Sequence, residues 1–466
     1  MPREPMPDVI VVIPGILGSV LQKHGKDVWA LSPGAVLRGL VPGGAGVEDL
    51  ILDADPPDVE DLGDGIVATS LFPDTHLVPG LWKIDGYSRV ADSIQRVFDV
   101  TPGRNYFEFP YDWRRDNRVA ATRMDRLSRQ WLKAWRDSSG NVGARLILIA
   151  HSMGGLVARH FLEVLGGWED TRALVTFGTP YRGAVNALNF IANGFKKTLG
   201  PIPLVDLSEV LRSLTAVYQL LPIYPCYDAG DGHLVRVEET ANIPHLDAKK
   251  AAEALKFHYA IRDAVSVHRS DPKYRDEGYQ IYPIVGTHQD TLQSARLEDG
   301  VLRAVAEYAG RDLDGDGTVP RVSATPIELS DEHREFFAAQ KHGALQNSAV
   351  GWVQLEGILK STQLDLSIFK AGPVPARQQN RLRLAMDDAF GTDEPVRVRV
   401  RPEWPLESVQ ASIVNVATNQ GQTLDLSASQ SAWLEGEAPP LPVGTYRITV
   451  SGERSVVPVS DVFLVA

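Results

Sequence analysis

The 466-residue chain holds a single cysteine, Cys226. One thiol excludes an intramolecular disulfide and any cysteine-based metal cluster, and it suits a reducing compartment. Basic residues are the minority charge, 47 against 59 acidic, for a net charge of −12. A phosphate-binding surface needs clustered Lys and Arg, so nucleic acid is not an expected partner. Electrostatic attachment to anionic lipid is disfavoured for the same reason. No run of some 18–20 apolar residues is long enough to span a bilayer. The apolar stretch Val9-Ile10-Val11-Val12-Ile13 lacks the basic flank and length of a secretory signal and reads as a buried strand entering a turn at Pro14-Gly15. A cytoplasmic protein is the expectation. Repeats and low-complexity tracts are absent too, and the last hundred residues contain no histidine.

With 44% hydrophobic and 23% charged residues, the chain has the composition of a globular protein of two or three domains. Apolar, β-branched runs at 8–13, 106–109, 146–150, 173–177 and 280–285 alternate with helical patterns such as 87–98 and 122–135. Buried runs joined by helices predict an α/β fold with a mostly parallel sheet covered on both faces. Two stretches interrupt the rhythm, at about 20–100 and 184–275, and read as cap insertions on a catalytic body of residues 1–370. Within the second, Leu207, Val210, Leu211, Leu214, Val217 and Leu221 follow helical spacing. They predict a cap helix packed on the body or, in a sharper reading, a lid whose apolar face makes transient contact with a lipid surface. A linker at 371–394 precedes period-two alternations, as in Val396-Arg-Val-Arg-Val-Arg401 and 444–450. These predict a small all-β sandwich over 395–466, to which no chemistry is assigned.

The most informative stretch is Leu146-Ile-Leu-Ile-Ala-His-Ser-Met-Gly-Gly155. A buried strand runs into a small-x-Ser-x-Gly turn and then an amphipathic helix, the context of a nucleophile elbow with Ser152 as nucleophile. A serine hydroxyl needs a base, and the base needs an orienting carboxylate, in the chain order Ser, acid, His. Asp316, in Asp312-Leu-Asp-Gly-Asp-Gly-Thr-Val-Pro320, is the acid. That loop also resembles a calcium site, but Ser323 stands where a bidentate Glu belongs, so neither metal nor cofactor is expected. His342 is preferred as the base over His333, which sits among charged residues; His151 and His160 read as packing or surface residues. The backbone N–H groups of Met153 and Ile16 are the expected oxyanion donors.

Five motifs, in this order, are similar to those of the lecithin:cholesterol acyltransferase family of α/β-hydrolases: Ile13-Pro-Gly-Ile-Leu-Gly-Ser19, Pro110-Tyr-Asp-Trp-Arg-Arg115, Ala150-His-Ser-Met-Gly-Gly155, Phe177-Gly-Thr-Pro-Tyr-Arg-Gly183 and Gly315-Asp-Gly-Thr-Val-Pro320. The resemblance covers roughly residues 8–362. It implies an α/β-hydrolase body, a Ser152–Asp316–His342 triad, an oxyanion donor at Ile16, structural roles for Asp112 and Trp113, and a lipid or acyl-ester substrate. Secreted members hold their lid with disulfides, which one cysteine cannot do. The expected activity is O-acyl transfer, or phospholipase or esterase hydrolysis, through an acyl-enzyme. A serine peptidase or amidase on the same fold, or a lipid-binding module with a vestigial triad, are the alternatives.

Overall fold

The computed structural model describes residues 3–30, 48–73, 76–78, 82–199, 202–230, 232–330, 335–363, 381–404, 406, 408–428, 433–452 and 456–466. His333 and residues 371–380 of the expected linker lie outside them, while its remainder, 381–394, is described.

Six strands form the central sheet: β1 (Val9–Ile13), β2 (Tyr106–Glu108), β3 (Leu146–His151), β4 (Thr171–Phe177), β5 (Gln280–Gly286) and β6 (Phe336–Ala338). Their order is β6-β5-β4-β3-β1-β2 and every pairing is parallel. Val11 sits opposite Leu148 on one side and Phe107 on the other. Because side chains alternate along a strand, each apolar run feeds two cores. Val9, Val11, Ile13, Leu146 and Leu148 enter one, while Ile10, Val12, Ile147 and Ile149 enter the other. Each such side chain, once buried, contributes about 2 kcal/mol. This explains why the strands carry no polar alternation.

Helices cover both faces. Helices α1 (Ser88–Val97) and α6 (Ala349–Ser361) send Val90, Ile94, Leu355 and Ile358 into the second core. Helices α2 (Asn117–Ser139), α3 (Gly154–Arg159) and α5 (Ala248–His268) pack on the first. The Asp116 side chain caps α2 by accepting from the Arg118 amide, and Gly140 ends it in the left-handed region at φ 71°. Helix α4 (Val185–Asn193) opens the second insertion. None of the described helices is long and apolar enough to cross a membrane.

The expected cap helix over 207–221 is two short helices, Ser208–Ser213 and Thr215–Tyr218. Leu214 between them is extended at φ −75° and ψ 121°, and the Ala216 amide donates to the Arg114 carbonyl. A tertiary hydrogen bond has overridden the local helical pattern. All six apolar side chains named for this face are buried in the first core, so here the face serves packing.

Beyond residue 381 lie β7 (Leu382–Ala385), β8 (Ala389–Phe390), β9 (Val396–Pro402), β10 (Ser408–Asn415), β11 (Gly421–Ala428), β12 (Leu434–Ala438), β13 (Gly444–Ser451) and β14 (Val459–Val465). They form one continuous sheet, ordered β7-β9-β12-β11-β10-β13-β14-β8. It curls around its own core of Val396, Val398, Val400, Ile448, Phe463 and their neighbours. Strand β9 alternates Val inward and Arg outward, which gives its inner and outer faces opposite character.

Candidate active site

The loops that leave the carboxyl ends of β1, β3, β4, β5 and β6 converge, as ligand sites do in open α/β sheets. Ser152 follows β3 at φ 52°, a conformation that a serine adopts only in a tight turn. Its amide donates to the Phe177 carbonyl at 2.8 Å, which pins the elbow to β4. At Gly155 a Cβ would run into the Thr179 side chain. That contact is why the turn needs small residues.

His342 Nε2 lies 2.8 Å from Ser152 Oγ, and His342 Nδ1 lies 2.7 Å from Asp316 Oδ2. The other carboxylate oxygen, Oδ1, accepts from the amides of Thr318 (2.9 Å) and Val319 (2.7 Å). An acceptor-only carboxylate facing Nδ1 makes that nitrogen the N–H and leaves Nε2 free to accept from the serine hydroxyl. The three side chains are buried. Gly178, at φ 57°, sits beside the pair, and a Cβ there would lie 2.8 Å from Asp316 Oδ2. The structure therefore brings together the three residues named from the sequence.

The Gly15–Gly18 turn after β1 approaches the nucleophile closely enough that a Cβ on Gly15 would lie 2.8 Å from Ser152 Cβ. Ile16 and Met153, the two expected amide donors, are both buried beside it. Among the described residues neither amide has a hydrogen-bond acceptor.

Two further residues, Tyr87 and His151, complete this site in roles that no local pattern marks. The Gly15 amide donates to Tyr87 Oη at 2.9 Å, and Tyr87 Oη lies 3.0 Å from His151 Nδ1. His151 Nε2 in turn lies 3.1 Å from the His342 carbonyl. A carbonyl only accepts, so His151 carries its proton on Nε2 and accepts a hydrogen bond from the Tyr87 hydroxyl at Nδ1. Burial, reinforced by the neighbouring His342, pushes the His151 imidazole well below its ordinary range and keeps it neutral. His151 is thus more than a packing residue: with Tyr87 it ties the Gly15–Ile16 turn to the base. Contacts spanning 64 and 191 residues leave no local pattern to read. Tyr87→Phe is expected to lower kcat about tenfold with little change in KM, the cost of one buried hydrogen bond at the turn. Steady-state kinetics with a soluble ester check this.

Of the remaining expected residues, Asp112 holds the fully buried Arg114, and Trp113 Nε1 donates to the Ser19 carbonyl at 3.1 Å. Both are structural. In the calcium-like loop, Asp312 accepts from Gln293 at 2.7 Å and Asp314 from the Gly315 amide at 2.7 Å, so the aspartates serve the loop itself. His160 stacks on Phe257 at 5.4 Å and packs as expected.

The C-terminal sheet grips both the Asp316 and the His342 loops. Gln340 accepts from the Ser460 amide at 3.0 Å and donates to the Pro458 carbonyl, and Lys341 pairs with Asp461 at 2.6 Å. These two residues lead directly into His342. On the acid side the Gln289 amide donates to the Gly315 carbonyl, while its side chain bonds both Leu382 and Leu384 at 3.3 Å. Arg383 adds ion pairs to Asp290 and Asp312. Lys341→Met removes this ion pair to the buried Asp461 and is expected to cost about 2 kcal/mol. Denaturant unfolding of the full chain measures it.

Comparison with known proteins shows the family and the fold. The family model for lecithin:cholesterol acyltransferase matches residues 52–293, just over half of the chain. Human lysosomal phospholipase A and acyltransferase is 24% identical over 270 residues, 57% of this chain and 61% of its own length. The rat protein of the same name is 27% identical over 128 residues, 26% of this chain and 29% of its length. The chain thus matches less than two thirds of these relatives. Among solved structures, that of the Tle4-Tli4 complex superposes with a TM-score of 0.50 at 17% identity, covering 78% of this chain and 99% of the other, which shows the fold. From its matched family model, and with the motifs now seen around one cluster of loops, the chain belongs to the lecithin:cholesterol acyltransferase family.

Proposed function

We propose that the protein is a serine-dependent lipid acyl-ester enzyme, acting as an O-acyltransferase, a hydrolase or both. The observation that carries this reading is the unbroken hydrogen-bond chain from Ser152 Oγ through His342 to Asp316. Ser152 attacks the ester carbonyl while His342 Nε2 takes its proton, and Asp316 stabilises the imidazolium. The amides of Ile16 and Met153 hold the oxyanion of the tetrahedral intermediate. Its collapse expels the alcohol, which takes the proton from His342, and leaves an acyl-Ser152 ester. Water or an alcohol then accepts the acyl group by the same steps in reverse. Family membership supports a lipid acyl donor.

The test is a panel of p-nitrophenyl esters, phospholipid vesicles and peptide amides, with products identified by mass spectrometry. Release of acyl product from the esters and phospholipids is expected. Cleavage of peptide amides alone would make the protein a peptidase and overturn the reading.

A further inference from the structure

A cleft of about 1100 Å³ lies between the catalytic loops and the outer face of the C-terminal sheet. Asp316, His342 and Gly343 are part of its lining, and α4 borders it. The opposite wall belongs to the C-terminal sheet, through β9, β12 and the turn after β7. Five of its polar side chains, Asn186, Thr318, Asp387, Arg399 and Glu435, have no hydrogen-bond or ion-pair partner among the described residues. Arg399 lies over the Trp433 ring at 5.5 Å, which steadies it without using its donors.

We propose that this cleft seats the acyl acceptor, and that the acceptor is a polyhydroxyl alcohol such as glycerol or a sugar; this rests on the acyl-enzyme reading above. The inventory of groups decides the class. Arg399 only donates, Asp387 and Glu435 only accept, and Asn186 and Thr318 do both. A hydroxyl both donates and accepts, so a polyol can satisfy all five. The hydrocarbon of a sterol or long-chain alcohol would strip water from these groups and return nothing. The lining as a whole is acidic, with Lys341, Arg397 and Arg399 outnumbered by seven carboxylates, which also disfavours an anionic acceptor. Phe190, half-buried in the same lining, offers an apolar face to the C–H groups of a sugar ring.

The step balances within the established components of the site. The acceptor oxygen attacks the carbonyl carbon of acyl-Ser152 and its proton passes to His342 Nε2. The bond from the carbonyl carbon to Ser152 Oγ then breaks, and Oγ recovers the proton. The C-terminal sheet, which contains neither histidine nor cysteine, thereby becomes a specificity wall of the active site.

The experiment uses the full chain, a short-chain p-nitrophenyl ester as donor, and glycerol, glucose or octanol as acceptor. Mass spectrometry reads the ratio of acyl ester formed to free acid released. Glycerol and glucose esters are expected, with a ratio that falls roughly tenfold in Arg399→Met and in Glu435→Gln, the loss of one charge-assisted hydrogen bond. Both side chains are exposed; thermal melting confirms that the variants fold. Octanol as the best acceptor, or a ratio that neither variant changes, overturns the proposal. Release of free acid with no polyol ester overturns it as well and leaves the esterase reading standing. No acyl release from the unmodified protein sinks the esterase reading itself.

Discussion

Ser152→Ala is expected to reduce turnover of a p-nitrophenyl ester by about six orders of magnitude, the scale found when a triad nucleophile is removed. The hydroxyl is the only atom lost, and it is the atom 2.8 Å from His342 Nε2. Nothing else at the elbow can replace it, because Ala150 and Met153 flank the turn with apolar groups and His151 is committed to Tyr87 and the His342 carbonyl. The fold should survive. Alanine at φ 52° is strained to the same degree as serine, and the Ser152 amide bond to Phe177 does not involve the side chain. A melting temperature close to that of the unmodified chain, together with no labelling by a fluorophosphonate probe, completes the expected result. Turnover near the unmodified level would remove Ser152 from the mechanism.

Asp316→Asn has the second largest effect, a fall in kcat of about four orders of magnitude with the geometry retained. The reason lies in the two oxygens of the carboxylate. Oδ1 accepts from two amides, Thr318 and Val319, so the asparagine must keep its carbonyl oxygen there. Its NH₂ group is then forced into the Oδ2 position, 2.7 Å from His342 Nδ1. A donor at that place turns the imidazole to the opposite tautomer, with its proton on Nε2 and no lone pair for the serine hydroxyl. Measurement of kcat and of fluorophosphonate labelling, both strongly reduced in a chain that melts normally, is the check. A variant that keeps a tenth or more of the activity would mean that His342 is oriented by something other than Asp316.

The legibility of the chain followed the range of its interactions. The strands at 9–13, 146–151 and 171–177 were readable because a strand buried on both faces must be apolar at every position. Ser152 was readable because the elbow is local: strand, small residues and helix fall within a dozen positions. Asp316 and His342 were readable through chain order and flanking motifs, although 26 residues separate them and 190 separate His342 from Ser152. The break at Leu214 was not, since the Arg114 carbonyl that it serves lies a hundred residues earlier. Tyr87 opens an unremarkable helix in sequence and reaches the Gly15 amide only by folding.

The sequence by itself determined the parallel sheet, the tight turn at Ser152, and the outward Arg and inward Val of β9, and it singled out Asp316 and His342, which folding brings beside Ser152. Each of these is a matter of local period or turn chemistry, which the order of residues contains directly. Only the tertiary structure decided that His151 and Tyr87 bridge the Gly15–Ile16 turn to His342, and that Gln340 and Lys341 bind the C-terminal sheet beside His342. The same packing sets Arg399 and Glu435 in one cleft with Asp316 and His342. Those hydrogen bonds join residues 64 to 191 positions apart, and a bond at such a distance leaves no trace in either segment until packing brings the two together.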